Sequence, residues 1–512
     1  METHLLLLLV LSALGTPEAA RILSVVPFPA VSHQGPLRTM SLELARRGHQ
    51  VTFITTNPSK KSIANFTEID ISDSYKYLRQ ATDWMVMARW TGIDMVFSWK
   101  RLGAGVCEGD LNAPEMQKFI KSAPKFDLVI MERLLTPCFY GLVHKVGSPP
   151  LVGYVTVGAI IPSHWIDGNP SNPAYLTDAH VAFSHRMSFW ERLYMMCVWL
   201  YMNYRYFYVM MPDQEEIQRK HFGSDGPSPY ETEKNFSLTL INNHFSIDYP
   251  RPNLPNMIEL TGLHVEASPP PLPKDIQDWL DGAEHGAVYF SLGSTLQAST
   301  MPEDKRLEFL EGFKKIPQRV LWKWEKDMEN LPPNVKVSKW LPQQSVLAHP
   351  NVRVFITQGG LQSFNEAAYY GVPLLGIPFF GDQHHNVAKM VDAGIGIELK
   401  FWDVTRDSVP DAIRELIEDK RFSEKMKQFS AVYREHKEES LPKAIWWIEY
   451  VLRHNGAPHL RSAAKDLTWY QYLLLDVIAF VVAVVVIFCI ALYSIARFMI
   501  SKVFKSKKLK SN

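Results

Sequence analysis

His33 is the first residue whose type and position predict chemistry. It lies at 27–36, a segment expected to be a loop between a buried strand at 21–26 and a helix at 37–47. An imidazole has a pKa near neutrality and can take a proton from a hydroxyl as its oxygen attacks an electrophile. The alternative is a solvated loop histidine with no catalytic part.

Gly359 and Gly360 begin a second stretch that predicts chemistry, because they follow a buried strand and precede a helix. Glycines let backbone N–H groups approach a phosphate closely, and the helix N-terminus adds donors and a favourable dipole. Glu366 follows in that helix, and Asp382 and Gln383 follow a further strand. Their oxygens can accept hydrogen bonds from sugar hydroxyls. Alone, this stretch indicates a general anion-binding site.

Alternating strands and helices must position both stretches. A strand at 21–26, a helix and a strand at 51–54 form a unit whose two strands must be parallel. Ligands bind at the carboxyl edge of such sheets. Further short apolar strands are expected at 126–131, 151–155, 287–291, 319–322, 352–356 and 373–377.

These elements predict an α/β fold in which two Rossmann-like domains face each other across a cleft. We expect the N-terminal domain at 21–245 and the C-terminal domain at 276–455. The proline-rich segment between them, 246–275, is typical of a stiff linker.

Both ends of the chain predict a membrane-anchored topology. An apolar run followed by small residues resembles a secretory signal peptide at 1–20. Residues 477–496 carry no charge and, at 1.5 Å per residue, match the roughly 30 Å apolar layer of a bilayer. A juxtamembrane segment at 456–476 precedes this transmembrane helix, and the basic tail at 497–512 is expected in the cytosol.

The body of a single-pass type I protein of this kind lies in the lumen, where the sequons at Asn65 and Asn235 would be glycosylated. Lys508 and Lys510 resemble lysine-based retrieval signals of endoplasmic-reticulum membrane proteins, although a plain positive-inside anchor explains them equally well. The net charge is +1, and no block of like charge interrupts the body of the chain. A nucleic-acid partner is therefore not expected.

Four cysteines occur, of which Cys489 lies inside the predicted transmembrane helix. Cys107, Cys138 and Cys197 show neither metal-ligand spacing nor a disulfide framework. We therefore expect no bound metal and no disulfide.

Residues 193–204 form an uncharged segment rich in Met, Tyr and Trp. It is too short to cross a bilayer. The sequence leaves open whether it is a core helix or has an acceptor-channel or membrane-surface role.

Together these features resemble the UDP-glycosyltransferase family, whose members glucosylate or glucuronidate small molecules, and most closely its insect membrane-bound members. The resemblance covers nearly the whole chain, and its signature is the 44 residues from Trp340 to Gln383. It implies a GT-B fold, with an acceptor bound by the first domain and a UDP-sugar by the second. The residues that it implies for the UDP-sugar are Ser294, Trp340, Gln343, Gln358, Gly359, Gly360, Ser363, Glu366, Asp382 and Gln383.

The resemblance also implies a role for these side chains. Trp340 would stack on the uracil, Gln343 would bind the nucleoside, and Glu366 would accept hydrogen bonds from the ribose. Two serines would contact the phosphates and two polar residues would hold the transferred sugar: Ser294 and Ser363, then Asp382 and Gln383.

By the same resemblance His33 is the catalytic base. Its carboxylate partner in the family is an Asp after the strand at 126–131, and the matching position here is Glu132, with Asp127 a weaker candidate. The implied reaction is an inverting transfer of a hexose, with UDP-glucose favoured by the insect-like character, to a hydroxyl of a small lipophilic acceptor. Neither a cofactor nor a metal is expected beyond this co-substrate.

Gln358 departs from the family, which usually has His at this position. Glutamine retains an N–H donor but cannot become cationic, so weaker donor affinity or slower departure of UDP is expected. It also supports one rival hypothesis, a catalytically silent lumenal protein that binds ligands or partner proteins. A dinucleotide oxidoreductase is disfavoured because 27–35 lacks the Gly-x-Gly-x-x-Gly turn. The choice between a monomer and a homo-oligomer stays open.

Overall fold

The computed structural model describes residues 19–59, 61–81 and 84–509. The predicted signal peptide lies outside the described residues except for its last two positions, and so do residues 510–512 of the tail. The chain divides into two compact units, one ending at Arg461 and one beginning at Ser462. Both sheets belong to the first unit.

The first sheet has seven parallel strands in the order β3-β2-β1-β4-β5-β6-β7. Apolar clusters cover both of its faces, so the central strands consist of continuous buried apolar runs. The strands are β1 (Arg21–Val26), β2 (Gln50–Thr55), β3 (Phe66–Asp70), β4 (Leu128–Glu132), β5 (Leu151–Val155), β6 (Phe236–Asn242) and β7 (Met257–Leu260).

The second sheet has six parallel strands in the order β10-β9-β8-β11-β12-β13. It too lies between two apolar clusters. The predicted α/β architecture with two parallel sheets is therefore confirmed. The strands are β8 (Ala287–Ser291), β9 (Arg319–Lys323), β10 (Val335–Ser338), β11 (Val352–Thr357), β12 (Leu374–Gly376) and β13 (Gly396–Glu398).

Helices connect the strands, as parallel pairing requires. Those of the first half are α1 (Val31–Arg46), α2 (Tyr75–Ala81), α3 (Trp84–Met87), α4 (Gly92–Leu111), α5 (Pro114–Ser122), α6 (Tyr140–Lys145), α7 (Ile161–Asp167), α8 (Phe189–Tyr204), α9 (Met211–Phe222) and α10 (Pro229–Lys234). Those of the second half are α11 (Lys274–Asp281), α12 (Glu303–Phe313), α13 (Gln343–Leu347), α14 (Leu361–Tyr370), α15 (Gln383–Asp392), α16 (Ser408–Glu418) and α17 (Lys420–Arg453).

The expected linker at 246–275 needs correction, because it contains β7, the seventh strand of the first sheet. Prolines at 250, 252 and 255 come just before this four-residue strand, and they make the whole segment resemble an irregular connection. The last turns of α17 also return to the first half, where Ala444 and Ile448 lie in the same apolar cluster as Leu44. The two halves are thus joined by a helix as well as by the connecting chain.

The expected absence of disulfides is wrong. Cys107, near the end of α4, is bonded to Cys138, and both residues are fully buried. The 31-residue separation carries no motif, and only the packing of α4 beside the segment after β4 brings the two thiols together.

The second unit contains α18 (Trp469–Tyr472) and α19 (Leu475–Leu509). In the described part of the chain, one helix is long and apolar enough to span a membrane: it is the Leu475–Lys502 portion of α19, with a mean hydropathy of 3.1. This portion includes the predicted span at 477–496.

Candidate active site

His33 and Glu132 are 99 residues apart in the chain but meet at one sheet edge. β1 and β4 are neighbouring parallel strands, with Val25 paired to Met131. His33 lies in the first turn of the helix that follows β1, and Glu132 is the last residue of β4. Because carboxyl ends of adjacent parallel strands share an edge, the two side chains converge.

The helix carrying His33 begins earlier than the sequence indicates. α1 starts at Val31 rather than at 37, and Pro36 lies inside it. Pro36 is the sixth residue of the helix, so it removes the one backbone hydrogen bond that this position would donate to the preceding turn, and the helix continues past it. The imidazole is therefore held by a helical turn instead of a loop.

Glu132 is a buried carboxylate with several donors around it. Its Oε1 lies 2.6 Å from Nδ1 of His33 and accepts a hydrogen bond of 2.5 Å from the Thr156 hydroxyl. Its Oε2 accepts a longer bond, 3.4 Å, from the backbone N–H of Phe28. The Phe28 ring also stacks on the imidazole, with centroids 4.8 Å apart. This geometry fixes the ring orientation and leaves Nε2 as the nitrogen that can receive a proton.

Gln34 braces the turn that carries His33. Its amide nitrogen donates to the carbonyl oxygens of Val26 and Phe28 and to the Thr56 hydroxyl. Its oxygen accepts from the Thr55 hydroxyl at 2.6 Å. The side chain thus ties the ends of β1 and β2 to the start of α1.

In the second half, the predicted glycine turn connects β11 to α14. Gly359 has φ of +81°, and a Cβ atom there would lie 2.5 Å from Val387. Both the left-handed backbone and the close approach require glycine. Gly360 is the N-cap residue of α14, so backbone N–H groups at this helix end are available to an anion.

Gln343, Ser363 and Glu366 form one hydrogen-bonded group. The Gln343 amide donates to Glu366 at 2.5 Å and to the Ser363 hydroxyl at 2.9 Å. Glu366 also accepts from Gln344 at 3.2 Å and has His264 at 3.4 Å. The carboxylate implied for the ribose is therefore bonded to protein donors in this structure.

Trp340 and Ser294 face solvent, and the Trp340 side chain is 64% exposed. Lys323, at the end of β9, is buried and donates to the Gly293 carbonyl at 3.0 Å and to Glu325 at 2.7 Å. Its ammonium lies 6.0 Å from the centre of the Trp340 ring. This cation supports the loop that carries Ser294, and nothing in its local sequence predicts this role.

Gln358 packs against the same loop. Its Nε2 would lie 2.2 Å from a Cβ atom at Gly293, so only glycine fits there. Its Oε1 is buried without a hydrogen-bond partner. The side chain therefore occupies the space between the loops after β8 and β11, where a diphosphate is expected.

Asp382 and Gln383 lie at the start of α15, close to the end of β12. Asn386 donates to the Asp382 carboxylate at 2.7 Å, and the Gln383 oxygen accepts from two backbone N–H groups at 379 and 380. Gln383 thus has its amide N–H groups left to offer a ligand. Burial raises the pKa of the Asp382 carboxyl, whereas the hydrogen bond from Asn386 and the nearness of His33 act in the opposite direction.

Contacts beside the dyad join the two halves. Gln362, in the first turn of α14, donates to the Thr156 carbonyl at 3.2 Å and accepts from Asn242 at 3.0 Å. Thr156 is the residue whose hydroxyl bonds Glu132. Thr156 therefore connects the start of α14 to the His33–Glu132 pair.

The structure places the predicted site residues at the carboxyl edges of the two sheets. Gln344, Thr156, His264 and Lys323 belong to the same surroundings but were not predicted. Gln344 had a signal, because it directly follows Gln343, whereas the others come from segments with no motif of their own.

A protein-family model described as UDP-glucoronosyl and UDP-glucosyl transferase matches residues 21–510. UDP-glucosyltransferase 2 of Dactylopius coccus is 39% identical over 496 residues, which cover 96% of this chain and 95% of that protein. Human UDP-glucuronosyltransferase 1A10 is 33% identical over 498 residues, covering 92% and 90%.

Solved structures of similar fold include the spinosyn forosaminyltransferase SpnP, with 18% identity, a TM-score of 0.56, and coverage of 85% of this chain and 99% of that chain. The glycosyltransferase VinC, in complex with dTDP, gives 17% identity, a TM-score of 0.56, and coverage of 85% and 100%. At these identities the likeness concerns the fold, which is the GT-B arrangement of two Rossmann-like domains.

Proposed function

The chain belongs to the UDP-glycosyltransferase family, whose members transfer a sugar from a UDP-sugar to an acceptor, and from this premise we propose an inverting glucosyltransferase that uses UDP-glucose. The acceptor is a hydroxyl of a small lipophilic molecule, and His33 is the general base. The observation that carries this proposal is the 2.6 Å contact between His33 and Glu132. Thr156 connects this pair to the start of α14, because its hydroxyl donates to Glu132 and its carbonyl accepts from Gln362.

The proposed reaction is a single displacement. The acceptor oxygen attacks the anomeric carbon, its proton passes to Nε2 of His33, and the bond to the diphosphate oxygen breaks with its electron pair leaving on UDP. Glu132 stabilises the imidazolium that forms. Attack from the face opposite UDP inverts the anomeric configuration.

The diphosphate charge is proposed to be balanced by protein donors without a metal or a cofactor. The donors are the backbone N–H groups after Gly359, the Gln358 amide, and the hydroxyls of Ser294 and Ser363. The exposed Trp340 ring offers a flat surface for the uracil. Glu366 would exchange its bonds to Gln343 and Gln344 for bonds to the ribose hydroxyls.

We propose glucose rather than glucuronic acid as the transferred sugar because of the sequence identities to two named relatives. The insect relative named as a glucosyltransferase is 39% identical, whereas the human relative named as a glucuronosyltransferase is 33% identical.

The proposed location is the endoplasmic-reticulum membrane, with the first unit in the lumen. The apolar helix is followed by a basic tail, and positive charge favours the cytosolic side. The buried Cys107–Cys138 disulfide suits an oxidising compartment. Both sequon asparagines, Asn65 and Asn235, are exposed.

The proposal is tested with microsomes that contain the full chain. UDP release is measured with UDP-glucose, UDP-galactose and UDP-glucuronic acid against a panel of phenols, with His33→Asn as the control. We expect the highest kcat/KM with UDP-glucose and a β-linked product by NMR. Release of no UDP above the control would instead favour the silent ligand-binding protein, and an α-linked product would exclude the single displacement.

A further inference from the structure

Helix α15 carries Asp382 and Gln383 at its start and is held on two sides. On one side it rests on the glycine turn of its own half, where Asn386 donates to the Gly359 carbonyl at 3.0 Å. Val387 fills the space beside this glycine, since its side chain lies 2.5 Å from the position of a Cβ atom there. The phosphate-binding turn and the proposed sugar-binding pair are thus parts of one packed unit.

The second side of α15 faces the first half through two side chains that lie one turn apart, His385 and Lys389. Nδ1 of His385 lies 3.0 Å from the Val181 carbonyl, and because a carbonyl oxygen can only accept, this nitrogen donates. Nε2 of the same ring lies 3.5 Å from Oδ1 of Asp248, and the ammonium of Lys389 lies 3.2 Å from Oδ2. One carboxylate therefore contacts both side chains.

Asp248 belongs to the first half, because it lies in the connection between β6 and β7, which are neighbouring strands of the first sheet. Val181 lies in the connection between α7 and α8, also in that half. Tyr249 extends the contact to the end of α15, where its hydroxyl donates to Asp392 at 3.3 Å. The helix that carries the sugar-binding pair is therefore held by the half that contains His33 as well as by its own.

The three side chains of this contact are nearly enclosed, with exposed fractions of 13% for Asp248, 6% for His385 and 5% for Lys389. Burial raises the pKa of the Asp248 carboxyl, but the Lys389 ammonium and the His385 imidazole outweigh burial and hold that pKa well below its usual range. A buried charge that loses its partner is strongly unfavourable. The contact is therefore stable in the arrangement that brings Asp248 against both side chains of α15.

A displacement of this contact would be felt at the start of the helix. At 1.5 Å per residue, His385 lies about 4.5 Å and Lys389 about 10 Å along the helix axis from Asp382. Asp382 is in turn near His33, whose imidazole opposes the rise that burial causes in the pKa of this carboxyl. A short helix thus connects the Asp248 contact to the point where the proposed base meets the proposed sugar site.

We propose that Asp248 is a positioning residue of the glycosyl transfer: through its contact with α15 it fixes the sugar-binding pair relative to His33. The inference rests on the proposed function, since it concerns the transfer step. That step joins groups from two halves of the chain, and a misplacement of about 1 Å between reacting groups can lower a rate about a hundredfold.

Asp248→Asn is the first test, because it keeps the size of the side chain but removes the charge that pairs with Lys389. We expect kcat for transfer from UDP-glucose to fall roughly ten- to a hundredfold. The dissociation constant of UDP should stay unchanged, because Trp340 and Glu366, which are proposed for the nucleoside, are not members of this contact. Calorimetric titration with UDP also counts the folded sites, and kcat is expressed per UDP-binding site.

A double variant separates positioning from stability. Asp248→Leu with Lys389→Met removes both charges, and replacement of a buried ion pair by apolar groups is often neutral or stabilising. We expect its melting temperature to recover toward that of the unchanged chain while kcat per site stays low, because the polar contact that orients α15 is still missing. Recovery of kcat together with the melting temperature would overturn the proposal, and so would a normal kcat per site in Asp248→Asn.

Glu449→Gln is the matched control, because it removes a different buried charge at a contact between the two halves. Glu449, in α17, has a side chain that is 9% exposed and lies 3.2 Å from Arg47 at the end of α1. We expect this variant to have a lower melting temperature with an unchanged kcat per site. An equal fall of kcat per site in Asp248→Asn and Glu449→Gln would overturn a specific role for Asp248.

The anchoring of α15 is measured without catalysis, by hydrogen exchange of the purified full chain. We expect exchange at 383–392 to become severalfold faster in Asp248→Asn and to stay unchanged in Glu449→Gln. Equal exchange in Asp248→Asn and in the unchanged chain would overturn the proposal even if kcat fell. An unchanged chain that transfers no sugar from any UDP-sugar would instead overturn the proposed function, so the two failures are distinguishable.

Discussion

The two sides of the proposed active-site cleft differ in whether their side chains already hold, without substrate, the arrangement that their proposed roles require. On the first side, the His33–Glu132 pair is buried, and the carboxylate has three donors within 3.4 Å. On the second side, Trp340 faces solvent, and Glu366 accepts hydrogen bonds from Gln343 and Gln344, which the proposed nucleoside would displace. Proton transfer needs a geometry fixed in advance, whereas a binding site can exchange its internal bonds for bonds to the ligand.

This difference predicts that substitutions on the first side act on kcat and those on the second side act on the KM for the UDP-sugar. The largest effect is expected for His33→Asn, which removes the proton acceptor and should lower kcat by roughly 10²- to 10⁴-fold. Product formation at saturating UDP-sugar measures this, with the melting temperature as the control for folding. A variant with unchanged kcat would contradict the role of His33.

A double-mutant cycle sharpens the same side of the comparison. Glu132→Gln should lower kcat by less than His33→Asn, because the imidazole remains but loses its charged partner. Added to His33→Asn, it should cost little more, since residues that act as one unit are not additive. If the decreases in kcat caused by the two substitutions multiplied instead, Glu132 would act separately from the imidazole.

Asp382→Asn tests the second side and its pH dependence. A hydrogen bond to a charged group contributes about 1.5–3 kcal/mol, so the KM for the UDP-sugar should rise about ten- to a hundredfold. Burial raises the pKa of this carboxyl, which means that it takes up a proton at a higher pH than an ordinary Asp. As pH falls, the KM of the unchanged chain should therefore rise early, while that of Asp382→Asn stays flat. Parallel profiles would contradict this assignment.

The two sides also differ in what the sequence could predict. The glycine turn at Gly359 and the acidic positions 366 and 382 stand in one continuous signature, so their meeting at a sheet edge follows from strand order. The His33–Glu132 pair was predictable only through the parallel pairing of β1 with β4 and the family resemblance. The local sequence predicted the start of α1 wrongly, because Pro36 suggests a loop but lies inside the helix.

Other features have no local signal at all. The Cys107–Cys138 disulfide depends on the packing of α4, and β7 is hidden by the prolines before it. Lys323 resembles any strand-terminal lysine until its contact with Gly293 is seen. The outward side of α8 is uncharged like a core helix, so only its exposure in the folded chain distinguishes it.

Trp340→Ala should weaken binding of the UDP-sugar without affecting proton transfer. Stacking of a base on an aromatic ring contributes about 1–3 kcal/mol, which corresponds to a rise in KM of roughly 5- to 150-fold. The acceptor KM and the pH profile of kcat should stay unchanged. Trp446→Ala, a second exposed tryptophan, is the matched control, and an equal effect of both substitutions would contradict a specific stacking role.

The smallest effect is expected for Gln358→His. The glutamine oxygen is buried without a partner, and its amide fills the space beside Gly293. An imidazole there offers an N–H donor that can become cationic as negative charge develops on the departing UDP. We expect a severalfold lower KM for the UDP-sugar or a severalfold higher kcat, measured with Gln358→Asn as a control of similar polarity. If His and Asn at this position give the same values as Gln358, the departure from the family is neutral and the diphosphate is held mainly by the glycine turn.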